Sequence, residues 1–255
     1  VVDTVIEPEL GGRMSLMEHL VELRSRLIKC VVAVAIGGVA GWFAFHPVLD
    51  VLMRPLERLA DNPNVADTFL SLDPLEIFML RVKMSAYLGI ALSMPFLLWQ
   101  LWQFVAPGLY QNERRYALAF VCSASVLFAM GATVAFYTLP EALGFLQSMG
   151  GDKVQYQYAL ENYVTLILYM MLAFGLGFQF PILLVFLQLV GVIDATQLAK
   201  FRRFAVVIIF AGGAVITPSG DPISLLALSL PMVLFYELSI LFGRVLTRRR
   251  RRHAV

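Results

Sequence analysis

Six stretches of this chain run without a single Asp, Glu, Lys or Arg: Cys30–Leu49, Met84–Asn112, Tyr116–Pro140, Asn162–Ile193, Phe204–Gly220 and Pro222–Tyr236. A helix needs about 20 mostly apolar residues to cross the hydrocarbon of a bilayer. Four of the stretches are ample and the last two are short. The apolar part of the fifth, Ala205 to Ile216, covers about 18 Å as a helix at 1.5 Å per residue. The sixth reaches a spanning length only if it continues through Glu237 to Gly243. Apolar residues make up 59% of the 255 residues and charged residues only 15%, against roughly 25% charged in soluble domains. So small a globule cannot hide that much apolar surface, and lipid must solvate most of it. The expected spans are 27–47, 78–104, 116–139, 162–189, 204–217 and 222–243, with the last two short enough to require local thinning or docked partners.

The formal net charge of +2 conceals an asymmetry. With six spans, 15 of the 20 basic residues fall on one side, including Arg24, Arg26, Lys29, Arg114, Arg115, Lys200, Arg202, Arg203, Arg244 and Arg248–Arg252. Only Arg54, Arg58, Arg81, Lys83 and Lys153 fall on the other. The positive-inside rule places both termini in the cytoplasm of a multi-pass inner-membrane protein. The terminal Arg run then reads as a topological anchor and headgroup contact rather than a nucleic-acid site. Cys30 and Cys122 each sit in an apolar run, which supports neither a disulfide framework nor a zinc cluster. The polar, acidic opening segment to Glu9 does not read as a cleavable signal peptide.

Residues 1–13 read as a flexible tail, 14–244 as the membrane domain and 245–255 as a basic cytoplasmic tail. Ser15 and Glu18 fit a helix-starting capping box. Leu16, Leu20, Leu23 and Leu27 make an apolar stripe with Glu18, Glu22, Arg26 and Lys29 mainly opposite, which predicts an amphipathic surface helix leading into the first span. Leu49, Leu52, Met53, Leu56 and Leu59 predict an amphipathic lid on the outer face, ended by Asp61–Asn64. A less clear external segment spans Glu141 to Tyr158, and Pro218–Pro222 is a turn. Pro95, Pro181 and Pro231 lie in spans two, four and six, which all run outside to inside. Proline bends a helix, and three such bends would shape an all-α integral membrane protein into a kinked, concave, cup-like bundle of six transmembrane helices.

No Walker loop, G-x-S-x-G or H-E-x-x-H is present, and His19, His46 and His253 lie in three different segments. The expectation is therefore of no enzyme, no cofactor and no metal site. Two segments carry stronger signals. The first internal loop contains Phe104, Pro107, Leu109 and Tyr110, followed by Glu113, Arg114 and Arg115, in the pattern F-x-x-P-x-L-Y then E-R-R. The N-terminal helix contains His19, Leu20, Glu22, Leu23, Arg24, Arg26 and Leu27, in the pattern H-L-x-E-L-R-x-R-L. With Ala173, Phe174, Gly175, Phe178 and Pro181, and with Thr217, Pro218 and Asp221, residues 14–244 resemble the C subunit of the twin-arginine protein translocase, the TatC family.

That resemblance implies a signal-peptide receptor and core subunit of a machine that exports folded proteins with the proton-motive force. It implies a signal-peptide site of Glu22, Phe104 and Glu113, with Arg24, Gln100, Tyr110 and Arg114 in support. Guanidinium pairs with carboxylate in a two-pronged fork, and lysine keeps the charge but loses the fork. On the residues alone, Glu22 is equally well read as pairing with Arg26 one turn on, and Glu113 as sitting in the first turn of span three. The resemblance also implies an oligomeric complex with single-span TatA- and TatB-like subunits docking around Ile216, Thr217 and Asp221.

Two polar groups lie within spans. Many relatives carry Glu where this chain has Gln179, and an amide cannot titrate; it can still hydrogen-bond across helices, with Gly175 and Gly177 allowing close approach. Glu237 is expected to pair with Arg244, seven residues on along the same face, with a contact to a partner subunit as the alternative. The alternative class, a secondary transporter for a small solute, needs polar groups converging at mid-membrane, and the spans offer little beyond Gln179 and Gln188.

Overall fold

A computed structural model of the chain describes residues 16–57, 73, 75–105, 117–150, 159–217 and 220–252. Eight helices fill these residues: α1 (Leu16–Phe43), α2 (Phe45–Glu57), α3 (Glu76–Val105), α4 (Ala117–Ser148), α5 (Leu160–Gly177), α6 (Gln179–Leu189), α7 (Ala195–Ile216) and α8 (Pro222–Arg252). Five helical stretches are long and apolar enough to cross a membrane: His19–Phe43, Glu76–Phe104, Ala117–Ser148, Leu160–Leu189 and Pro222–Val245. Helix α7 is not among them, because Lys200, Arg202 and Arg203 occupy its first turns.

The interruption between α5 and α6 has a local cause. Pro181 has no N–H to donate to Gly177, and its ring crowds that carbonyl four residues back. The helix breaks at Phe178, within that turn, while Phe178 N–H still bonds Phe174 O at 2.9 Å. Pro95 and Pro231 lie inside unbroken helices, so only one of the three expected proline sites interrupts its helix.

In one core, Phe45 and Leu52 of α2 bury against Leu80 and Met84 of α3, Leu139 and Leu143 of α4, and Tyr163 and Ile167 of α5. Tyr163 OH donates to Leu52 O at 3.1 Å. The segment expected as a surface lid is thus part of the packed core for its first three turns; Leu59 lies outside the described residues. Helix α4 runs through Pro140 to Ser148 and buries Ala142, Leu143 and Gln147, so much of the unclear second external segment continues span three. A second core gathers Phe174, Phe178, Leu184, Leu198, Ile209, Leu228, Met232 and Tyr236 from α5 to α8.

Helix α1 lies at one edge and packs chiefly on α3, through small residues. A Cβ at Gly89 would stand 2.7 Å from Val34 O and 2.8 Å from Gly38 N, so only hydrogen fits there. Ser93 Oγ donates to Ala33 O at 2.8 Å across the same seam. At the C-terminal end of α1, Arg81 Nη2 donates to Trp42 O at 3.1 Å and its guanidinium lies 4.5 Å from the Trp42 ring centroid. It satisfies one of the carbonyls orphaned at the end of α1.

Leu20, Leu23 and Leu27 of the expected apolar stripe are 58%, 44% and 61% exposed, and the amphipathic segment and the span it leads into form one unbroken helix, α1. The reason is the solvent: in lipid the apolar stripe has no need to face the protein, and close packing goes to the face that carries glycine.

Candidate functional site

The α3-facing side of α1 steps by three and four residues through His19, Glu22, Arg26, Cys30, Ala33, Gly37 and Gly41. Its later turns are the glycine seam, and its first turns are polar. Opposite them, α3 presents Ser85, Gly89 and Ser93 and then Gln100, Gln103 and Phe104. The contact that holds the two helices together therefore also sets the spacing of the polar groups at its end.

Those groups interlock. Arg26 Nε donates to Glu22 Oε1 at 3.0 Å, and Arg26 Nη2 bonds the same oxygen. Arg26 Nη1 donates to Gln103 Oε1 at 2.7 Å and approaches Gln100 Oε1 at 3.4 Å. The Glu22 and Arg26 side chains are 21% and 17% exposed. Glu22 Oε2 is buried and has no hydrogen-bond partner among the described residues. A buried carboxylate oxygen without a donor is costly, so the site holds unspent capacity for a cationic donor. His19 and Phe104 stack with ring centroids 4.3 Å apart, and beside them Met17, Val21, Glu22, Ser25, Arg26, Lys29 and Gln103 line a groove of about 550 Å³.

Of the residues expected here, Glu22, Gln100 and Phe104 are brought to one end of the α1–α3 seam. Arg24 is exposed and does not line the groove. Tyr110, Glu113 and Arg114 lie outside the described residues, as does Ser15. Glu22 pairs with Arg26 one turn on, as the residues alone allowed. Gln103 and His19 are the additions, and their signal is the helical face they share with the contact residues of the seam.

The intramembrane groups are all engaged. Gln179 Nε2 donates to Ala124 O of α4 at 2.9 Å, a bond across helices as expected, while its Oε1 is buried without a partner among the described residues. Gln188 Nε2 donates to Ser239 O at 3.1 Å. Glu237 pairs with Arg202 Nε of α7 at 2.8 Å, which corrects the expected pairing with Arg244. Arg244 stands about 10 Å further along the helix, whereas Arg202 reaches directly from the neighbour packed on α8. Tyr236 OH donates to Leu198 O at 2.8 Å beside this pair.

At the α7–α8 turn, Thr217 and Asp221 are buried at 3% and 2% exposure. Thr217 Oγ1 donates to Gly213 O at 3.0 Å, and Asp221 Oδ1 accepts from Ser224 N at 2.6 Å. Asp221 thus caps α8, with Pro222 at its first position. Ile216 is half-buried, and Val215 beside it is 83% exposed.

The chain matches the family model of the Sec-independent protein translocase protein (TatC) over residues 18–231. It is 38% identical over 247 residues to the Sec-independent protein translocase protein TatC of Frankia casuarinae, covering 93% of this chain and 68% of that one. Against the TatC of Aquifex aeolicus the identity is 36% over 242 residues, covering 93% and 98%. A crystal structure of the twin arginine translocase receptor TatC in DDM superposes with a TM-score of 0.76 at 35% identity, covering 89% of this chain and 99% of that one.

Proposed function

Because the chain belongs to the TatC family of Sec-independent translocase proteins, a family of multi-pass transport components, we propose that it is the signal-peptide receptor and core subunit of a twin-arginine translocase. In this reading the guanidinium groups of the signal's arginine pair bind Glu22 and Glu113, with Phe104 beside them and Gln100, Tyr110, Arg114 and Arg24 around the site. The observation that carries it is the half-used carboxylate of Glu22 at a groove, with one oxygen on Arg26 and the other buried without a partner among the described residues.

The membrane arrangement proposed with it has six spans and both termini in the cytoplasm, with α7 as the short fifth crossing. The bundle forms a concave cup into which the apolar part of the signal slides. The domain at 14–244 is flanked by a tail at 1–13 and a basic tail at 245–255. Single-span TatA- and TatB-like partners dock at the edge near Ile216, Thr217 and Asp221. The buried caps support a role for Thr217 and Asp221 in shaping that turn, with Val215 and Ile216 offering the contact. Export of folded substrates is driven by the proton-motive force through assembly of these partners.

Binding of a labelled twin-arginine signal peptide to the purified chain tests the reading. The peptide is expected to bind at least tenfold more tightly than its Lys-Lys counterpart, and Glu22→Gln is expected to remove that difference. Equal affinities for the two peptides would exclude arginine recognition.

A further inference from the structure

The cradle at the end of the α1–α3 seam already contains a guanidinium, and it is the chain's own. Three acceptors from two helices converge on Arg26: Glu22 Oε1 on its Nε and Nη2 edge, and Gln103 Oε1 and Gln100 Oε1 on Nη1. Four features mark this as more than a surface ion pair. Both side chains are largely buried. Gln100, itself 7% exposed, is held inside the seam. The acceptors match the planar fork rather than a point charge. The remaining Glu22 oxygen is buried and has no partner among the described residues.

We propose that Glu22, Gln100 and Gln103 form the subsite for one arginine of the export signal, and that Arg26 is its resident placeholder, displaced when the signal binds. The inference rests on the receptor reading given above and adds to it the occupant and the amide carbonyls. In the empty receptor the placeholder neutralises a carboxylate that would otherwise stand buried and unpaired. Exchange of one guanidinium for another conserves the cradle's hydrogen bonds, so the net gain comes from the signal's other contacts. A lysine offers no second prong to replace the Nη1 bonds to the glutamines, so it cannot make the exchange on equal terms. Competition from within thereby raises selectivity for arginine while keeping the affinity low enough for release.

Arg26→Lys keeps the charge and so leaves long-range attraction of the cationic signal unchanged, but it weakens the placeholder. In detergent micelles the full-length Arg26→Lys protein is expected to bind a labelled twin-arginine peptide about fivefold to tenfold more tightly than the unaltered chain. Affinity for the Lys-Lys peptide should change by less than twofold. Equal or weaker twin-arginine binding by Arg26→Lys, with Glu22→Gln still deficient, overturns the placeholder and leaves the receptor reading in place. Binding that survives Glu22→Gln unchanged overturns both. A measurement on the unaltered chain decides the matter if Arg26→Lys does not fold. The assigned 15N resonance of Arg26 Nε should move toward that of a free arginine on saturation with the peptide, and an unmoved resonance overturns the displacement.

Discussion

Two edges of the molecule, α1 on α3 and α7 on α8, each hold a Glu–Arg pair, yet the two pairs are built differently. Glu237 and Arg202 reach across from neighbouring helices with side chains 38% and 48% exposed. Glu22 and Arg26 share one helix, are 21% and 17% exposed, and press against two glutamines of the next helix. Exposed pairs contribute about 0–1 kcal/mol, whereas a buried carboxylate oxygen with no partner among the described residues is costly to leave unpaired. The first arrangement fastens a hairpin; the second is the one we propose as a binding site.

Removing each acid should break that symmetry most visibly. Glu22→Gln is expected to weaken twin-arginine peptide binding by about 10- to 100-fold, the equivalent of one charge-assisted contact of roughly 1.5 to 3 kcal/mol. Glu237→Gln should change it less than twofold. Peptide titration of both variants checks this, and a comparable loss in Glu237→Gln would erase the distinction between fastener and site.

The seams differ too. At Gly89 an added Cβ meets backbone, Val34 O at 2.7 Å and Gly38 N at 2.8 Å, whereas at Gly213 it meets Ser229 Oγ at 2.7 Å and Leu225 Cδ1 at 3.0 Å. Side-chain atoms can rotate away, but two helix backbones must separate. Gly89→Ala is therefore expected to destabilise the protein by about 2–3 kcal/mol and Gly213→Ala by about 1 kcal/mol or less, as read by thermal unfolding in detergent. Gly89→Ala should also weaken peptide binding, because the same seam spaces Glu22 from Gln103. Stability lost without any change in binding would uncouple seam from site.

This contrast also explains what could be read from the sequence and what could not. The spans expected from the uncharged stretches coincide with the second and fourth long helices to within about two residues, whereas α1 starts at Leu16, ahead of the span expected from 27, and α4 runs on to Ser148 rather than ending near 139, because hydrocarbon thickness sets a minimum length and not an end. The H-L-x-E-L-R-x-R-L pattern singled out Glu22, and the structure adds that it lies at the end of the α1–α3 seam beside Gln103. Which face of α1 packs on the protein was not legible, because apolar periodicity cannot separate a core-facing stripe from a lipid-facing one when both solvents are apolar. Leu20 and Leu27 satisfy the pattern and face outward, while Gly37 and Gly41 mark the real interface. The partner of Glu237 was missed for a related reason. Spacing along one helix says nothing about Arg202, which arrives from α7 only through tertiary packing.

At the α7–α8 edge, Tyr236→Phe deletes the hydrogen bond to Leu198 O and should cost about 1 kcal/mol of stability with no effect on peptide affinity. A drop in affinity would mean that this hairpin communicates with the α1–α3 site.

The smallest effect is expected where neither edge is involved. Gln179 joins α6 to α4 by donating from Nε2 to Ala124 O at 2.9 Å. Glutamate is nearly the same shape but, ionised, lacks the amide donor, and one hydrogen bond is worth only about 1 kcal/mol. Gln179→Glu should therefore leave export of a folded reporter within about twofold of the unaltered chain. Loss of export would show that the amide at this position, through the Ala124 bond or its buried Oε1, is needed for more than holding two helices together.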